Sequence, residues 1–261
     1  MKRTVLTVTF ILVMMLGAVG VAQAIINGQP DDNRHPYVGM LLMQTDDGGF
    51  EVCSGAAISK KVILTSAHCF SALDKPVFVT FDADANPESN PKFHSGSWFP
   101  HPDFCADCSG PQFNSYDVAV VILDKSVKLP RYAVLPSEGL VDTLDMKTKL
   151  GIVGYGVQEF VIGDGPPTRG SAFTRFFSTV DLIKNEEANS DAFIKISANP
   201  AKEKGSVCYI DSGGPDLLED TDTVLAVNSY ANDNYCKSVS YSYRVDTPEA
   251  LKFIEQFLKK K

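Results

Sequence analysis

Three short segments of the chain carry the residue types that perform nucleophilic hydrolysis in proteins. Residues 62–69 read Val-Ile-Leu-Thr-Ser-Ala-His-Cys and contain His68, Asp117 opens an apolar run, and residues 208–215 read Cys-Tyr-Ile-Asp-Ser-Gly-Gly-Pro around Ser212. A serine hydroxyl becomes a nucleophile when a histidine takes its proton, and a carboxylate orients that histidine and stabilises the imidazolium that forms. If the fold brings the three side chains together, they can cleave acyl bonds through an acyl-enzyme.

The histidine follows a pattern of two short strands. Residues 53–58 and 62–69 predict a strand, a turn and a second strand that presents His68 at its end. A disulfide between Cys53 and Cys69 would tie the two strands together and hold the imidazole in place. A single histidine is usually structural, so the catalytic interpretation rests on this local context.

The serine has the most specific context of the three. Gly213 and Gly214 follow Ser212 directly. Because glycine accepts backbone conformations that other residues resist, this segment can bend sharply, expose the hydroxyl and aim backbone amides at a developing oxyanion. Asp117 taken alone would be an ordinary turn residue, but at the start of an apolar strand it can be buried against a histidine.

These segments resemble the motifs of the trypsin/chymotrypsin family of serine proteases. The family has Leu-Thr-Ala-Ala-His-Cys, Asn-Asp-Ile-Ala-Leu-Leu and Gly-Asp-Ser-Gly-Gly-Pro, in the chain order that His68, Asp117 and Ser212 follow here. Three further segments extend the resemblance over the mature chain. The family's mature amino terminus, its central Gly-Trp-Gly and its substrate-binding Ser-Trp-Gly are similar to residues 25–28, 154–156 and 229–231.

The resemblance implies an all-β fold of two six-stranded antiparallel β-barrels with a C-terminal helix. It assigns residues 25–130 to the first barrel, which would supply His68 and Asp117. It assigns residues 131–261 to the second barrel, which would supply Ser212, the specificity pocket and the terminal helix. The candidate site would then lie in the cleft between the barrels.

The expected oxyanion hole departs from the family pattern. The resemblance assigns this role to the backbone amides of Ile210 and Ser212, and Ile210 stands where the family has glycine. A β-branched residue resists the backbone geometry that glycine accepts. Beside a secreted serine endopeptidase, the sequence therefore leaves the alternative of a catalytically impaired homologue that acts as a secreted binding protein. An esterase shares the triad chemistry but has a different chain order.

The substrate-binding residues follow from the same resemblance. Ser229, Tyr230 and Ala231 would pair with the backbone of an extended substrate. Ser206 stands where trypsin-like members have an aspartate that binds Lys or Arg, so a basic side chain before the scissile bond is not expected. Ala231 and Ser240 are larger than the glycines of wide pockets, which favours small or medium apolar side chains, with aromatic ones as the second choice.

The first 24 residues predict an export signal that is removed. Lys2 and Arg3 precede an apolar run, which ends at the small-x-small pattern of residues 22–24 and is short for a membrane span. We expect a secreted protein, extracellular or periplasmic, without membrane attachment after cleavage. By the resemblance, the freed ammonium of Ile25 would pair with Asp211 and complete the oxyanion hole, so signal peptidase itself would deliver the active enzyme.

Six cysteines, an even number in an exported chain, predict disulfides. Cys208 and Cys236 resemble the family's disulfide beside the pocket. Cys105 and Cys108 remain, and we expect them to form a local disulfide that stiffens the loop before the aspartate.

Two weaker patterns could hold a metal ion. The Cys-x-x-Cys pair could combine with His101 or His94, but one such pair alone is a weak signal. An acidic loop could hold calcium, although its Pro87 stands where an EF-hand has glycine. This loop contains Asp82, Asp84, Asn86 and Glu88. We expect it to be a solvated loop, and we expect neither a metal nor a cofactor in the catalysis.

The charge of the chain bounds its partners. The sequence has 24 basic and 32 acidic residues, and the export signal holds two of the basic ones, so the mature chain carries a net charge of −10. Such a surface disfavours nucleic acids and anionic membranes. We expect a monomer whose partners are protein or peptide substrates, with protein inhibitors as further candidates.

The elements that must position these residues are mostly strands. Short apolar or alternating runs recur between turn-rich stretches, which is typical of an all-β sandwich or barrel. They cover residues 37–43, 56–66, 77–81, 118–123, 150–153 and 224–229. Polar loops are predicted at 82–93, 100–116 and 158–170, and a crossover between the halves at 125–137.

One helix is predicted at the C-terminal end of the chain. Thr247 reads as its cap and Pro248 as its first residue. The apolar residues then recur at helical spacing, which predicts one face packed against the barrels. They are Leu251, Ile254, Phe257 and Leu258.

Overall fold

The computed structural model describes residues 25–108, 113–161, 168–170, 172–183, 191–197 and 205–259. The predicted export signal at 1–24 lies outside these residues. The described part of the chain forms fifteen β-strands, three short 3-10 turns and one α-helix. None of its helices has the length and apolar character that a membrane crossing needs.

Six strands close into the first barrel. They are β2 Val38–Gln44, β3 Phe50–Ala57, β4 Val62–Thr65, β5 Val77–Thr80, β6 His94–Pro100 and β7 Ala119–Leu123. Their order around the barrel is β2-β3-β4-β7-β6-β5, with β5 paired back to β2, and every pairing is antiparallel. β4 and β7 are nearly continuous runs of aliphatic residues and are buried almost throughout.

Six further strands close into the second barrel. They are β8 Lys149–Gly154, β11 Phe176–Ile183, β12 Phe193–Ile196, β13 Pro215–Leu218, β14 Val224–Ala231 and β15 Ser240–Arg244. Their order is β11-β12-β15-β14-β13-β8, and β8 pairs with β11 to close the barrel. The expected fold of two six-stranded antiparallel barrels is therefore confirmed.

Three short strands lie outside this closed set. β1 Gln29–Pro30 pairs with β11, so the segment after residue 25 joins the second barrel. β9 Phe160–Val161 and β10 Thr168–Arg169 form a two-stranded hairpin inside the predicted loop 158–170. β7 ends at residue 123 and β8 begins at residue 149. The crossover at 125–137 lies between them, and the domain boundary after residue 130 stays a prediction.

The second barrel shows why alternating sequences form its wall. Along β11 every second residue is buried, from Phe176 through Ser178 and Val180 to Leu182, while the residues between them are partly exposed. Successive side chains of a strand point to opposite faces, so one face of β11 fills the interior. Leu150 and Ile152 of the neighbouring β8 and Leu225 of β14 belong to the same apolar cluster.

The predicted C-terminal helix is α1 Pro248–Leu258. Thr247 caps it, because its hydroxyl oxygen accepts the backbone N–H of Ala250 at 3.3 Å. Phe253 and Ile254 are buried, whereas Leu258 at the end is 38% exposed. The helix therefore packs by one face, as its spacing predicts, with Leu258 outside the contact.

Candidate active site

The predicted histidine and aspartate lie against each other at the ends of two adjacent strands. His68 is in the 3-10 turn Ala67–Cys69 that follows β4, and Asp117 precedes β7, the strand paired with β4. The ring Nδ1 of His68 lies 2.8 Å from Asp117 Oδ2, and the backbone N–H of His68 donates to Asp117 Oδ1 at 2.9 Å. Since a carboxylate only accepts, Nδ1 carries the proton and Nε2 is left as the base.

A third side chain completes this contact. Ser229, on β14 of the second barrel, donates its hydroxyl to Asp117 Oδ2 at 2.5 Å. The sequence predicts Ser229 only as a substrate-binding residue, so this bond is a finding of the structure. It joins the second barrel to the carboxylate that orients His68.

The surroundings of His68 and Asp117 shift the pKa of each group in the direction that favours its charged form. Burial alone would raise the pKa of Asp117, but the charge of His68 and the hydrogen bonds from His68 and Ser229 hold it below its usual range. Burial alone would lower the pKa of His68, but the charge and the hydrogen bond of Asp117 raise it. Asp117 is 2% exposed, whereas the side chain of His68 is 35% exposed and can reach a substrate.

The loop that carries Ser212 packs against the first barrel. The backbone N–H of Ser54 donates to the carbonyl of Ser212 at 2.8 Å, and Cys69 Sγ lies 3.8 Å from the same oxygen. Gly213 has a φ of +77°, and a Cβ there would lie 2.1 Å from Thr65 Oγ1. Only glycine fits at position 213, where the loop lies this close to β4. The close packing places the backbone of Ser212 beside Cys69.

Ile210 holds the backbone conformation that glycine favours. Its φ is +79°, a region that β-branched residues rarely enter. The sequence predicts that a β-branched residue resists this geometry, and the structure shows that Ile210 adopts it.

Both residues of the predicted activation pair, Ile25 and Asp211, are buried. Ile25 is fully buried, and Ile26 forms a bridge with Ser206, whose N–H donates to the carbonyl of Ile26 at 3.0 Å. Asp211 accepts the backbone N–H groups of Gly156 at 2.8 Å and Cys208 at 2.9 Å. Burial raises the pKa of Asp211 to about 7, and these two hydrogen bonds offset burial only in part.

The raised pKa of Asp211 belongs to the full-length chain, in which Ile25 is an internal residue. Residue 24 is still attached to Ile25, so its nitrogen is an uncharged amide. A buried carboxylate without a compensating cation favours its protonated form.

The sequence profile of the trypsin family matches residues 25–254. The chain belongs to the trypsin family. Its match to Trypsin-1 of Gadus morhua is 24% identical over 160 residues, which is 60% of this chain and 61% of that protein.

Solved structures share the fold of this trypsin-family chain. HL collagenase superposes with a TM-score of 0.70 at 21% identity, covering 91% of this chain and all of that one. A protein named GrC gives 0.68 at 20% identity, covering 90% and 100%. Human heparin-binding protein gives 0.64 at 19% identity, covering 91% and 98%.

The predicted pocket residues of this family member lie on β14, β15 and the segment before the nucleophile. Ala231 and Ser240 are directly opposite each other in the β14–β15 pairing. Ser206 and Ser240 are each 1% exposed. The ring of Tyr230 stacks on Tyr241 with centroids 4.9 Å apart. The pairing thus brings two of the predicted pocket residues, Ala231 and Ser240, face to face.

A cavity with aromatic walls adjoins the histidine. It has a volume of about 570 Å³, and its lining includes His68, Phe70, Phe104, Phe193 and Tyr230. Of these aromatic residues, the sequence predicts only Tyr230. The position of Phe104 beside the Cys-x-x-Cys pair could have indicated that it lines this cavity. No local sequence pattern indicates the same for Phe193 on β12.

All six cysteines form disulfides in the expected pairs. The bonds are Cys53–Cys69, Cys105–Cys108 and Cys208–Cys236. The alternative of a metal site at the Cys-x-x-Cys loop is wrong, because a disulfide offers no thiolate ligand. Cys53, His68 and Cys69 lie close together in the described residues, but their two sulfurs are bonded to each other in the same way.

Two of the other candidate metal ligands, His101 and Asp84, are engaged in local hydrogen bonds. His101 stacks on Tyr116 at 4.7 Å, and its Nδ1 accepts the backbone N–H of Asp103 at 3.2 Å. In the acidic loop, Asp84 accepts from Asn86 and Ser89. These hydrogen bonds occupy the carboxylate of Asp84, the acidic side chain at the centre of the loop.

Proposed function

We propose that the protein is a serine endopeptidase. The observation that carries the proposal is the buried carboxylate of Asp117, which holds both the ring and the backbone of His68 and accepts a hydroxyl from the second barrel. This arrangement leaves Nε2 of His68 as a base at the surface of the cleft. The half-buried Ser212 is in the loop packed against the same strands.

In the proposed reaction, Ser212 Oγ attacks the peptide carbonyl while His68 Nε2 takes its proton. The carbonyl oxygen becomes an oxyanion that the amides of Ile210 and Ser212 stabilise. The C–N bond then breaks, and the imidazolium gives its proton to the leaving amine. Water hydrolyses the acyl-enzyme by the same sequence, with His68 as the base. Asp117 stays ionised throughout and stabilises the imidazolium.

A fluorophosphonate probe tests the proposal, because it labels only an activated serine. We expect the secreted protein to be labelled, and Ser212→Ala to abolish labelling together with peptide hydrolysis. Protein that folds but takes no label would overturn the proposal.

The second candidate function is a secreted binding protein on an impaired protease fold. It is favoured by the φ of +79° at Ile210, where the backbone of the expected oxyanion hole is strained. One protein of the same fold is named a heparin-binding protein. A net charge of −8 does not suit a polyanionic partner such as heparin, so a binding role would need a different ligand. Absent labelling would favour this candidate.

We further propose that the residue before the scissile bond is small or medium and apolar, with aromatic residues as the second choice. Ser206 brings no charge to the pocket, and Ala231 lies opposite Ser240, where side chains narrow the available space. Cleavage of a peptide library, read by mass spectrometry, checks this preference. Dominant cleavage after Lys or Arg would contradict it.

We also propose secretion and activation by a single cut between residues 24 and 25. The cut would free an ammonium at Ile25 to pair with Asp211. Edman sequencing of secreted material should begin at Ile25, and any other start would contradict this step. The mature enzyme would act as a monomer on protein or peptide substrates, and protein inhibitors are further candidate partners.

A further inference from the structure

The backbone at Ile210 is strained at a functionally sensitive position. Non-glycine residues with positive φ are uncommon, and a β-branched residue there is an outlier. Such a conformation costs free energy and persists only where surrounding contacts hold it. The two peptide groups that flank Ile210 show which contacts do so.

The peptide group before Ile210 is held from the second barrel. The N–H of Val157 donates to the carbonyl of Tyr209 at 2.9 Å. In a planar trans peptide the carbonyl and the N–H point in opposite directions, so this bond turns the N–H of Ile210 away from Val157. The guanidinium of Arg169 lies over the ring of Tyr209, 3.6 Å from its centroid.

The peptide group after Ile210 is held from the first barrel by a side chain. The hydroxyl of Ser54 donates to the carbonyl of Ile210 at 2.9 Å and accepts the backbone N–H of Tyr155 at 3.1 Å. Ser54 is fully buried. The bond from Tyr155 occupies the hydroxyl oxygen, so the single hydroxyl proton is directed at Ile210.

The main chain of the same residue holds the nucleophile. The N–H of Ser54 donates to the carbonyl of Ser212 at 2.8 Å, and the carbonyl of Ser54 accepts the hydroxyl of Thr65 at 2.8 Å. One buried residue of β3 therefore contacts the carbonyls of both Ile210 and Ser212. Their amides are the two that the proposed reaction assigns to the oxyanion.

We propose that Ser54 is a positioning residue of the oxyanion hole. Its hydroxyl holds Ile210 in a backbone conformation that a β-branched residue leaves readily, and so keeps the Ile210 amide aimed at the reacting oxygen. Ser54 acts through Ile210 and touches no substrate. This inference rests on the proposed endopeptidase function and deepens it, because it explains how isoleucine can replace glycine at this position.

The first experiment compares Ser54→Ala with the wild type on a peptide amide substrate. The oxyanion forms after substrate binding, so we expect kcat to fall about 10- to 100-fold while KM changes less than about twofold. A peptide aldehyde, which forms a hemiacetal with Ser212 and places a charged oxygen in the hole, should bind more weakly by a similar factor.

The second experiment uses glycine to remove the need for Ser54. Glycine adopts positive φ freely, so in an Ile210→Gly background we expect Ser54→Ala to lower kcat less than about threefold. The difference between the two backgrounds is the coupling of a double-mutant cycle. If Ser54→Ala alone does not fold, the effect of Ser54 can still be measured in the Ile210→Gly background, because Ile210→Gly relieves the strain.

A matched control is Ser66→Ala. Its buried hydroxyl also donates to a main-chain carbonyl of the other barrel, that of Asn228 at 2.9 Å, but it does not contact Ile210 or Ser212. We expect this variant to lose stability comparable to that of Ser54→Ala while kcat stays within about threefold of the wild type.

Two results would overturn the inference while leaving the endopeptidase function intact. One is unchanged kcat and aldehyde affinity in Ser54→Ala. The other is an equal loss of kcat with isoleucine and with glycine at position 210. A wild-type protein that neither hydrolyses peptides nor takes a fluorophosphonate label would overturn the proposed function itself, and this inference with it.

Discussion

At the residue scale, the carboxylate of Asp117 connects the segment before β7 with the turn that carries His68 and with β14 of the second barrel. It accepts from the ring and the backbone of His68 in the first barrel and from the hydroxyl of Ser229 in the second. A carboxylate with several such donors stays ionised at low pH, and its pKa is indeed lowered. The charge and the geometry of His68 therefore depend on this one buried group.

Replacing this carboxylate by an amide should damage catalysis much more than folding. In Asp117→Asn the amide can donate to Nδ1 and favours the wrong tautomer, so we expect kcat to fall on the order of 10⁴-fold with little change in KM. Stopped assays with a chromogenic peptide measure both constants. Asp124→Asn, at the exposed other end of β7, is the control, and an equal loss there would point to a general effect of removing charge.

The buried carboxylate of Asp211 makes stability depend on pH, and the proposed cut before Ile25 should change this dependence. Its folded pKa of about 7 lies above its ordinary value of 3.8, so in the unprocessed chain the fold favours the protonated form. Stability should therefore fall as pH rises from about 4 to about 7, and stay lower above that. In the processed protein the ammonium of Ile25 would remove this loss.

Acetylation of the Ile25 amine tests the effect within the mature protein. We expect the acetylated form to lose thermal stability relative to the free-amine form between pH 5 and pH 7.5, together with activity. Pairing raises the folded pKa of the amine above its free value of roughly 8, so the advantage of the free amine should vanish again in alkali. Calorimetry at matched pH values measures both effects, and an acetylated enzyme with full activity would contradict them.

At the scale of elements, the predicted loop at 100–116 carries the Cys105–Cys108 disulfide beside the cavity that adjoins His68. Cys105 and Cys108 line the same cavity as His68, and the N–H of Cys105 donates to the carbonyl of Ser115 at 3.0 Å. The loop therefore contributes one wall of the space beside the histidine. It also leads directly into Asp117.

Removal of this disulfide should alter substrate binding as well as stability. A bridge that closes only four residues contributes on the order of 2 kcal/mol in the chain-entropy account. We expect Cys105→Ser with Cys108→Ser to raise KM several-fold for long peptides that reach the cavity, and to leave short ester substrates unaffected. An equal change for both substrates would show that the loop acts on His68 or Asp117 instead.

At the scale of the whole molecule, Arg175 joins the two barrels through a fully buried guanidinium. Nε donates to Asp31 at 2.8 Å, Nη1 donates to the carbonyls of Val38 and Phe81 at 3.0 Å each, and Nη2 donates to Asn33 at 2.9 Å. Arg175 immediately precedes β11 of the second barrel, whereas Val38 and Phe81 belong to the first barrel and its edge.

Loss of this group should destabilise the relative placement of the barrels. Arg175→Met removes the guanidinium from the buried carboxylate of Asp31, which keeps only its contacts with His35 among the described residues, and from the carbonyl of Phe81. We expect a loss of about 3–5 kcal/mol in the free energy of unfolding. Arg131→Met is the control, because Arg131 is 50% exposed and its contact with Asp222 should contribute less than about 1 kcal/mol. Urea unfolding of both variants measures the difference. Similar losses would mean that the buried position is not decisive.

The strands show where sequence patterns suffice and where they do not. Aliphatic runs predict β4, β7 and most of β14, because such segments stay buried in any arrangement. Among the barrel strands, the patterns miss β6, β11, β12, β13 and β15. Of these, β6 reads His-Ser-Gly-Ser-Trp-Phe-Pro and β15 reads Ser-Tyr-Ser-Tyr-Arg. β15 is buried throughout although it is partly polar, because β12 and β14 flank it on both sides.

The sequence by itself determined the family, the residue types of the candidate triad, the three disulfide pairs and the terminal helix. Each of these depends on residues that are close together in the chain, or on motifs that occur as units. A glycine at a backbone bend and a residue that caps a helix N–H can be recognised from their immediate neighbours in the sequence.

Only the tertiary structure decided which distant groups meet. The hydroxyl of Ser229 lies on Asp117, that of Ser54 on the carbonyl of Ile210, and the guanidinium of Arg175 on Asp31. The partners in these contacts are more than 100 residues apart, and no local sequence pattern shows which of them meet. Their energies arise from burial and direction, which exist only once both barrels have closed and packed together.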